Sequence, residues 1–363
     1  MIAKQIRMKL RTSQLSIATV AAMLACFTLS GCSSGSSSNS SHLAYVATSS
    51  GIFAYRISDT GVPTTVFSAP FVLGRSPSSI VIAPSGLGYV ADSLDNTISR
   101  VKIDTSSGAL SEVLPRTTIA GSTPSFMVTD SSGGFLYVAN QGSNDVESYS
   151  VGSDGSLTFA SSASVASSPS GLVLSASDNL LFVSVPNFSS IYAFTVSSGA
   201  LTPVAGSPFH VANGVASVAI NPTDTLLYAP SFTANTISGF SILSGGVLSE
   251  LAKSPFGSTT LKNPVANVVD PTGKFLYVAN FASTTISIFD VSSTGDLTAK
   301  TGSSASAGTN PYFFTIDPNG KYLYVGNEGS KSITEFTLNS DGTLTSTNTI
   351  QIGGVPRSVA FTK

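Results

Sequence analysis

Tryptophan is absent from this chain of 363 residues, cysteine and histidine occur twice each, and charged residues make up only 10%. Each shortage closes off a kind of chemistry. No cysteine follows Cys32, so the bulk of the chain has no thiol for a disulfide, a Cys-based metal site or a covalent intermediate. The histidines are His42 and His210, and neither belongs to an H-E-x-x-H pair. There is no G-x-S-x-G elbow and no phosphate-binding loop, and the acidic turns carry single Asp residues rather than the spaced carboxylates of a calcium loop. No metal and no cofactor are expected. Positive charge is also scarce. Net charge is −2, and four of the 17 basic residues (Lys4, Arg7, Lys9, Arg11) precede Cys32, where there is no acid. That leaves 13 basic against 19 acidic residues, near −6, for the remainder. With no basic stripe, nucleic acid is not an expected partner. Beyond the N-terminus no apolar run is long enough to cross a bilayer.

What the chain has in abundance is a repeat. The phrase K-F-L-Y-V-A-N-F-A-S-T-T-I-S-I-F-D-V at Lys274–Val291 returns at Gly134–Val151 and at Lys321–Leu338. Two short alternating apolar runs flank a polar turn, which predicts a β-hairpin. The first tyrosine of the phrase, or its substitute, falls at Tyr45, Tyr89, Tyr137, Phe182, Tyr228, Tyr277 and Tyr324, with spacings of 44 to 49 residues. Seven copies at this period predict a β-propeller. Each copy has four strand-like pieces. The first opens at a Pro and ends at a turn such as D-P-T-G, where Pro presets φ and Gly supplies a positive one. The Y-V piece and the T-I-S-I-F-D-V piece follow, and the fourth opens with Gly, as in Gly295-Asp296-Leu297-Thr298. The repeats begin on a second strand, Leu43–Ala47, and end on a first strand, Ser358–Lys363. That offset predicts a closed ring in which the last strand becomes the innermost strand of the first blade. The fold class is therefore all-β, a seven-bladed propeller of four-stranded blades over 43–363.

The first 31 residues read as a targeting segment: basic residues to Arg11, an apolar stretch Leu15–Thr28, then Leu29-Ser30-Gly31-Cys32. This resembles a bacterial lipoprotein signal peptide, which implies lipidation of Cys32 and attachment to the membrane through that lipid. An ordinary secretory signal or an uncleaved anchor are the alternatives. Ser33 after the Cys resembles outer-membrane sorting, which implies a cell-envelope address. Residues 32–42 then form the lipidated Cys and a Ser-rich tether.

The Y-V-A-N, D-P-x-G-K and D-G-x-L-T phrases resemble the seven-bladed β-propeller lactonase family, the 6-phosphogluconolactonase-like propellers. The resemblance implies ring opening of sugar-acid or related lactones at the mouth of the central channel, without a metal. It implies Arg and His on innermost strands, in a G-P-R-H phrase, and an acid in an N-E phrase. In this chain the Arg slot holds Ser78, Ser125, Ser170, Ala216, Val265, Tyr312 and Arg357, and the following His slot holds no histidine. The N-E phrase occurs once, at Asn327-Glu328. Carried over, the catalytic candidates are Glu328 and Arg357. Arg75, Asp92, Asn140, His210, Asn280 and Asn327 are candidate ligand contacts at the same face. The recurrent asparagines also suit strand-end capping, since they repeat blade after blade. Two functions stay open: an envelope-anchored module that binds a small molecule or an envelope protein at the channel mouth, and a lactone hydrolase.

Overall fold

The structure, a computed structural model, describes residues 42–362 apart from 59, 120, 212 and 301–303. Cys32, the expected targeting segment and most of the expected tether lie outside the described residues. Within these limits the strands form seven antiparallel sheets, each with four strand positions from the inside outward; in the fourth, fifth and sixth the outermost position is split into two short strands. In the second blade the order is Pro77–Ile82, Leu87–Asp92, Thr97–Ile103 and Leu110–Thr118.

The apolar alternation of the repeat follows from a blade having a neighbour on each side. In the sixth blade, Tyr277, Ile286 and Ile288 pack with Leu323, Val325 and Phe336 of the seventh. From the opposite face, Leu276, Val278 and Phe289 pack with Tyr228 and Ile237 of the fifth. Successive strand residues point to opposite faces, so both faces must be apolar here. The repeated tyrosine adds a tether. The hydroxyls of Tyr45, Tyr89, Tyr228 and Tyr277 donate to the carbonyls of Gly108, Gly155, Gly295 and Gly342 at 3.0, 3.0, 2.8 and 3.1 Å. Each bond runs from one blade to the glycine that opens the outermost strand of the next. Those glycines have φ near 80°, a conformation that costs glycine little and other residues more.

The ring closes as the offset of the repeat predicts. The first sheet runs in the order Pro63–Thr65, Gly51–Ile57, His42–Thr48 and Pro356–Phe361. Tyr45 faces Ala360 and Val46 faces Val359 across the joint. Leu43 N donates to Thr362 Oγ1 at 3.0 Å, and Thr362 N donates to the Leu43 carbonyl at 2.9 Å.

Two innermost strands are shorter than the repeat suggests. In the fourth blade the ladder covers only Gly171–Leu174, and in the fifth only Ala219–Ile220. The fifth has a specific cause. The register of its ladder sets Pro230 opposite Ser217, and Pro230 has no N–H to donate across that pair.

Candidate functional site

The innermost strands run away from one face and the second strands return to it, so their adjoining loops gather at one end of the channel. A cavity of about 680 Å³ opens there, lined by innermost-strand residues of all seven blades. Arg357, the second residue of the closing strand, lines it. Glu328 follows directly on the second strand of the seventh blade, Tyr322–Asn327. Its Oε1 lies 3.6 Å from Arg357 Nη1, with the two side chains 33% and 37% exposed. The backbone fixes the acid, because Glu328 N donates to the Asn310 carbonyl at 2.9 Å. Thus the acid and the cation lie 29 positions apart in the chain and meet at the cavity lip.

Tyr312 lies beside both. Burial pushes its phenol above the ordinary value, the Arg357 charge opposes that, and the Glu328 charge adds to it, so the hydroxyl stays a donor at neutral pH. Its ring packs edge-on against Phe281 with centroids 6.3 Å apart, and Phe281 lies 6.4 Å from Phe232. Phe232, Phe281 and Glu328 occupy one structural slot, the position after the second strand in blades five, six and seven. The His slot of the seventh blade holds Phe313, whose ring sits so close to Gly326 that a Cβ there would overlap it. This accounts for glycine where four of the other six copies carry Ala.

A sequence comparison matches the family "Lactonase, 7-bladed beta-propeller" over residues 42–170, 203–313 and 254–361. This chain belongs to that family. No curated protein matches it in sequence. Among solved structures, a putative 6-phosphogluconolactonase from Bacteroides fragilis superposes with a TM-score of 0.78 at 22% identity, covering 90% of this chain and 99% of that one. The periplasmic gluconolactonase of Pseudomonas aeruginosa superposes with a TM-score of 0.76 at 19% identity, covering 89% and 99%. At such identities the likeness is one of fold.

Within this lactonase-family propeller none of the other candidate residues lines the cavity. Asn140, Asn280 and Asn327 are fully buried at strand ends. Asn280 Nδ2 donates to Ser287 Oγ at 2.9 Å and its Oδ1 accepts from Lys262 N at 3.0 Å. Asn327 Nδ2 donates to Thr334 Oγ1 at 2.9 Å while its Oδ1 accepts from Gly308 N at 3.1 Å. Asn140 Nδ2 donates to Asp145 Oδ1 at 3.0 Å. Gly121 and Gly308 roof Asn140 and Asn327 so closely that a Cβ would overlap them, so these side chains act as caps and are out of a ligand's reach. Asp92 fills the same slot in the second blade, also fully buried. Burial lifts its carboxyl to about 6, against the lowering effect of the Ser99 hydroxyl 2.6 Å away. Arg75 is exposed on the rim of the second blade and pairs with Asp95 at 2.6 Å. His210 is not near the channel. It pairs with Ser190 on the outer side of the third strand of its blade, because the chain there is still completing the outermost strand. Among the described residues no group of His, Cys, Asp or Glu would hold a metal ion.

The aromatic residues were the signal missed in the sequence. Reading the slot after the second strand down the seven copies gives Ser49, Ser93, Gln141, Pro186, Phe232, Phe281 and Glu328. That column ranges from Ser and Gln through Pro and Phe to Glu.

Proposed function

We propose that this chain opens a lactone ring at the channel mouth, with Glu328 as general base and Arg357 as the electrostatic partner of the carbonyl. The observation that carries the reading is the approach of Glu328 and Arg357 to 3.6 Å beside a cavity of about 680 Å³. Family membership and the neighbours described as lactonases support the same chemistry. In the proposed reaction a water oxygen attacks the lactone carbonyl carbon and Glu328 takes the proton. The Arg357 guanidinium faces the oxygen that becomes negative. As the tetrahedral species collapses, the ring C–O bond breaks, and the protonated Glu328 returns its proton to the leaving alkoxide. The product is a hydroxy acid, which releases its carboxyl proton to solvent, and the carboxylate left behind also faces Arg357. Tyr312 supplies a neutral donor at the same lip.

The test is hydrolysis of a lactone panel by the purified full-length chain, followed by proton release. Glu328→Gln is expected to lower kcat on the order of a hundredfold or more, and Arg357→Ala on the order of a hundredfold. Activity that survives both substitutions overturns the assignment. A second reading is a binding module without turnover. It is favoured by one observation, the lack of Arg and His in six of the seven paired slots, and its signature is saturable ligand binding with no proton release. We further propose that the protein is exported and anchored to the cell envelope through Cys32. Metabolic labelling with a radioactive fatty acid is expected to mark the chain and to be lost in Cys32→Ala; equal labelling of both sinks the anchor.

A further inference from the structure

The cavity has its charge at one edge only. Arg357 is the one charged side chain lining it among the described residues, with Glu328 beside it. Several polar side chains deeper in the wall are committed to holding blades together. Ser170 Oγ donates to the Ala216 carbonyl at 2.7 Å, and Ser217 Oγ donates to Asn267 Oδ1 at 2.8 Å. Asn267 Nδ2 donates to the Tyr228 carbonyl at 2.8 Å, and Ser358 Oγ accepts from Ile80 N at 2.8 Å. Much of what remains facing the space is apolar, including Phe126, Met127, Leu172, Val218 and Phe314. At the mouth, the Phe232–Phe281–Tyr312 arc extends this apolar wall up to the Glu328–Arg357 pair.

Such a wall discriminates by chemistry. A polyhydroxylated ring would bring several hydroxyls against a wall in which Ser170, Ser217 and Asn267 already spend their donors between blades, and each hydroxyl left unpaired weakens binding. A phosphate dianion would have to share the one guanidinium with the Glu328 carboxylate, which also repels it. An alkyl or aryl body meets no such obstacle and gains from leaving water. We infer that the site takes a molecule with one polar head and an apolar body: a lactone bearing an alkyl or aryl substituent, and its hydroxy-acid product. The carbonyl or carboxylate sits at Arg357, and the substituent lies along the aromatic arc and the channel wall. Only the word lactone rests on the ring-opening reading; the ligand class rests on the wall.

The experiment uses the full-length chain and two readouts. Proton release measures turnover of δ-lactones with 5-alkyl chains of increasing length, of glucono-δ-lactone and of its 6-phosphate. Calorimetry measures binding of the matching ring-opened hydroxy acids, independent of turnover. Both kcat/KM and affinity are expected to rise about threefold per added methylene over the first few carbons, with both sugar lactones the poorest substrates. Phe232→Ala, at a side chain 39% exposed, is expected to flatten that slope, and Phe232→Leu to restore most of it. Preference for glucono-δ-lactone or its phosphate, or a flat chain-length response, overturns the ligand class while leaving ring opening intact. Binding that strengthens with chain length and no turnover of any lactone supports the ligand class and removes only the hydrolysis. Absence of both binding and turnover overturns both.

Discussion

Asp92 stands where three other blades carry a buried asparagine. Its Oδ2 accepts from Ser99 at 2.6 Å and Thr97 at 3.3 Å, while Oδ1 is buried without a partner. An amide in this slot donates to the hydroxyls and accepts from the loop, as Asn280 and Asn327 do. A carboxylate only accepts, and burial lifts its pKa from 3.8 to about 6. Below about pH 4 the carboxyl is protonated in folded and unfolded chains alike and there is no penalty. As pH rises from 4 to 6 the unfolded chain releases the proton and the folded chain holds it, so stability falls across this window and stays lower above it. The full loss is on the order of 1–3 kcal/mol. Asp92→Asn is therefore expected to raise Tm at pH 7, with the gap to the parent closing as melts are taken down to pH 4. A variant that melts no higher than the parent at pH 7 refutes the account. The sequence showed that Asp replaces Asn here; the energetic consequence needed the burial.

At the scale of the strand, the repeated tyrosine ties one blade to the next through a glycine carbonyl. Tyr277→Phe keeps the ring and leaves the Gly342 carbonyl without its 3.1 Å partner. The expected loss is about 1–2 kcal/mol, read as a lower Tm in thermal melts; an unchanged melt would mean the tether contributes nothing. The period and the four pieces per copy were legible because both faces of every blade are apolar and each turn has its Gly or Pro. The tyrosine bond was not, since hydroxyl and carbonyl are more than 60 residues apart. Nor was the shortened fifth innermost strand, although its cause, Pro230, is visible in the sequence, because only pairing shows that Pro230 faces Ser217.

At the scale of the whole molecule, closure and site are joined in one strand. Removing residues 356–363 strips Pro356–Phe361 from the first sheet and leaves the edge of His42–Thr48 open. Open edges invite aggregation, so the shortened chain is expected to aggregate or to melt about 10 °C or more lower, measured by size exclusion and circular dichroism. A monomer with a parental melt would show that the ring does not need its joint. Glu328 and Arg357 were legible as candidates because they break the repeat. Phe232, Phe281 and Tyr312 were not, because an aromatic in an apolar propeller looks like core until the loops are seen to converge. The position of Arg357 has a temporal consequence. It belongs to the strand that closes the first sheet, so the ribosome makes it after every strand of the second to seventh blades. A nascent chain holding six complete blades still has no cation in its channel, and translation stopped at residue 355 yields a cavity wall without its guanidinium. The same few residues that finish the architecture also deliver the charge that lines the channel.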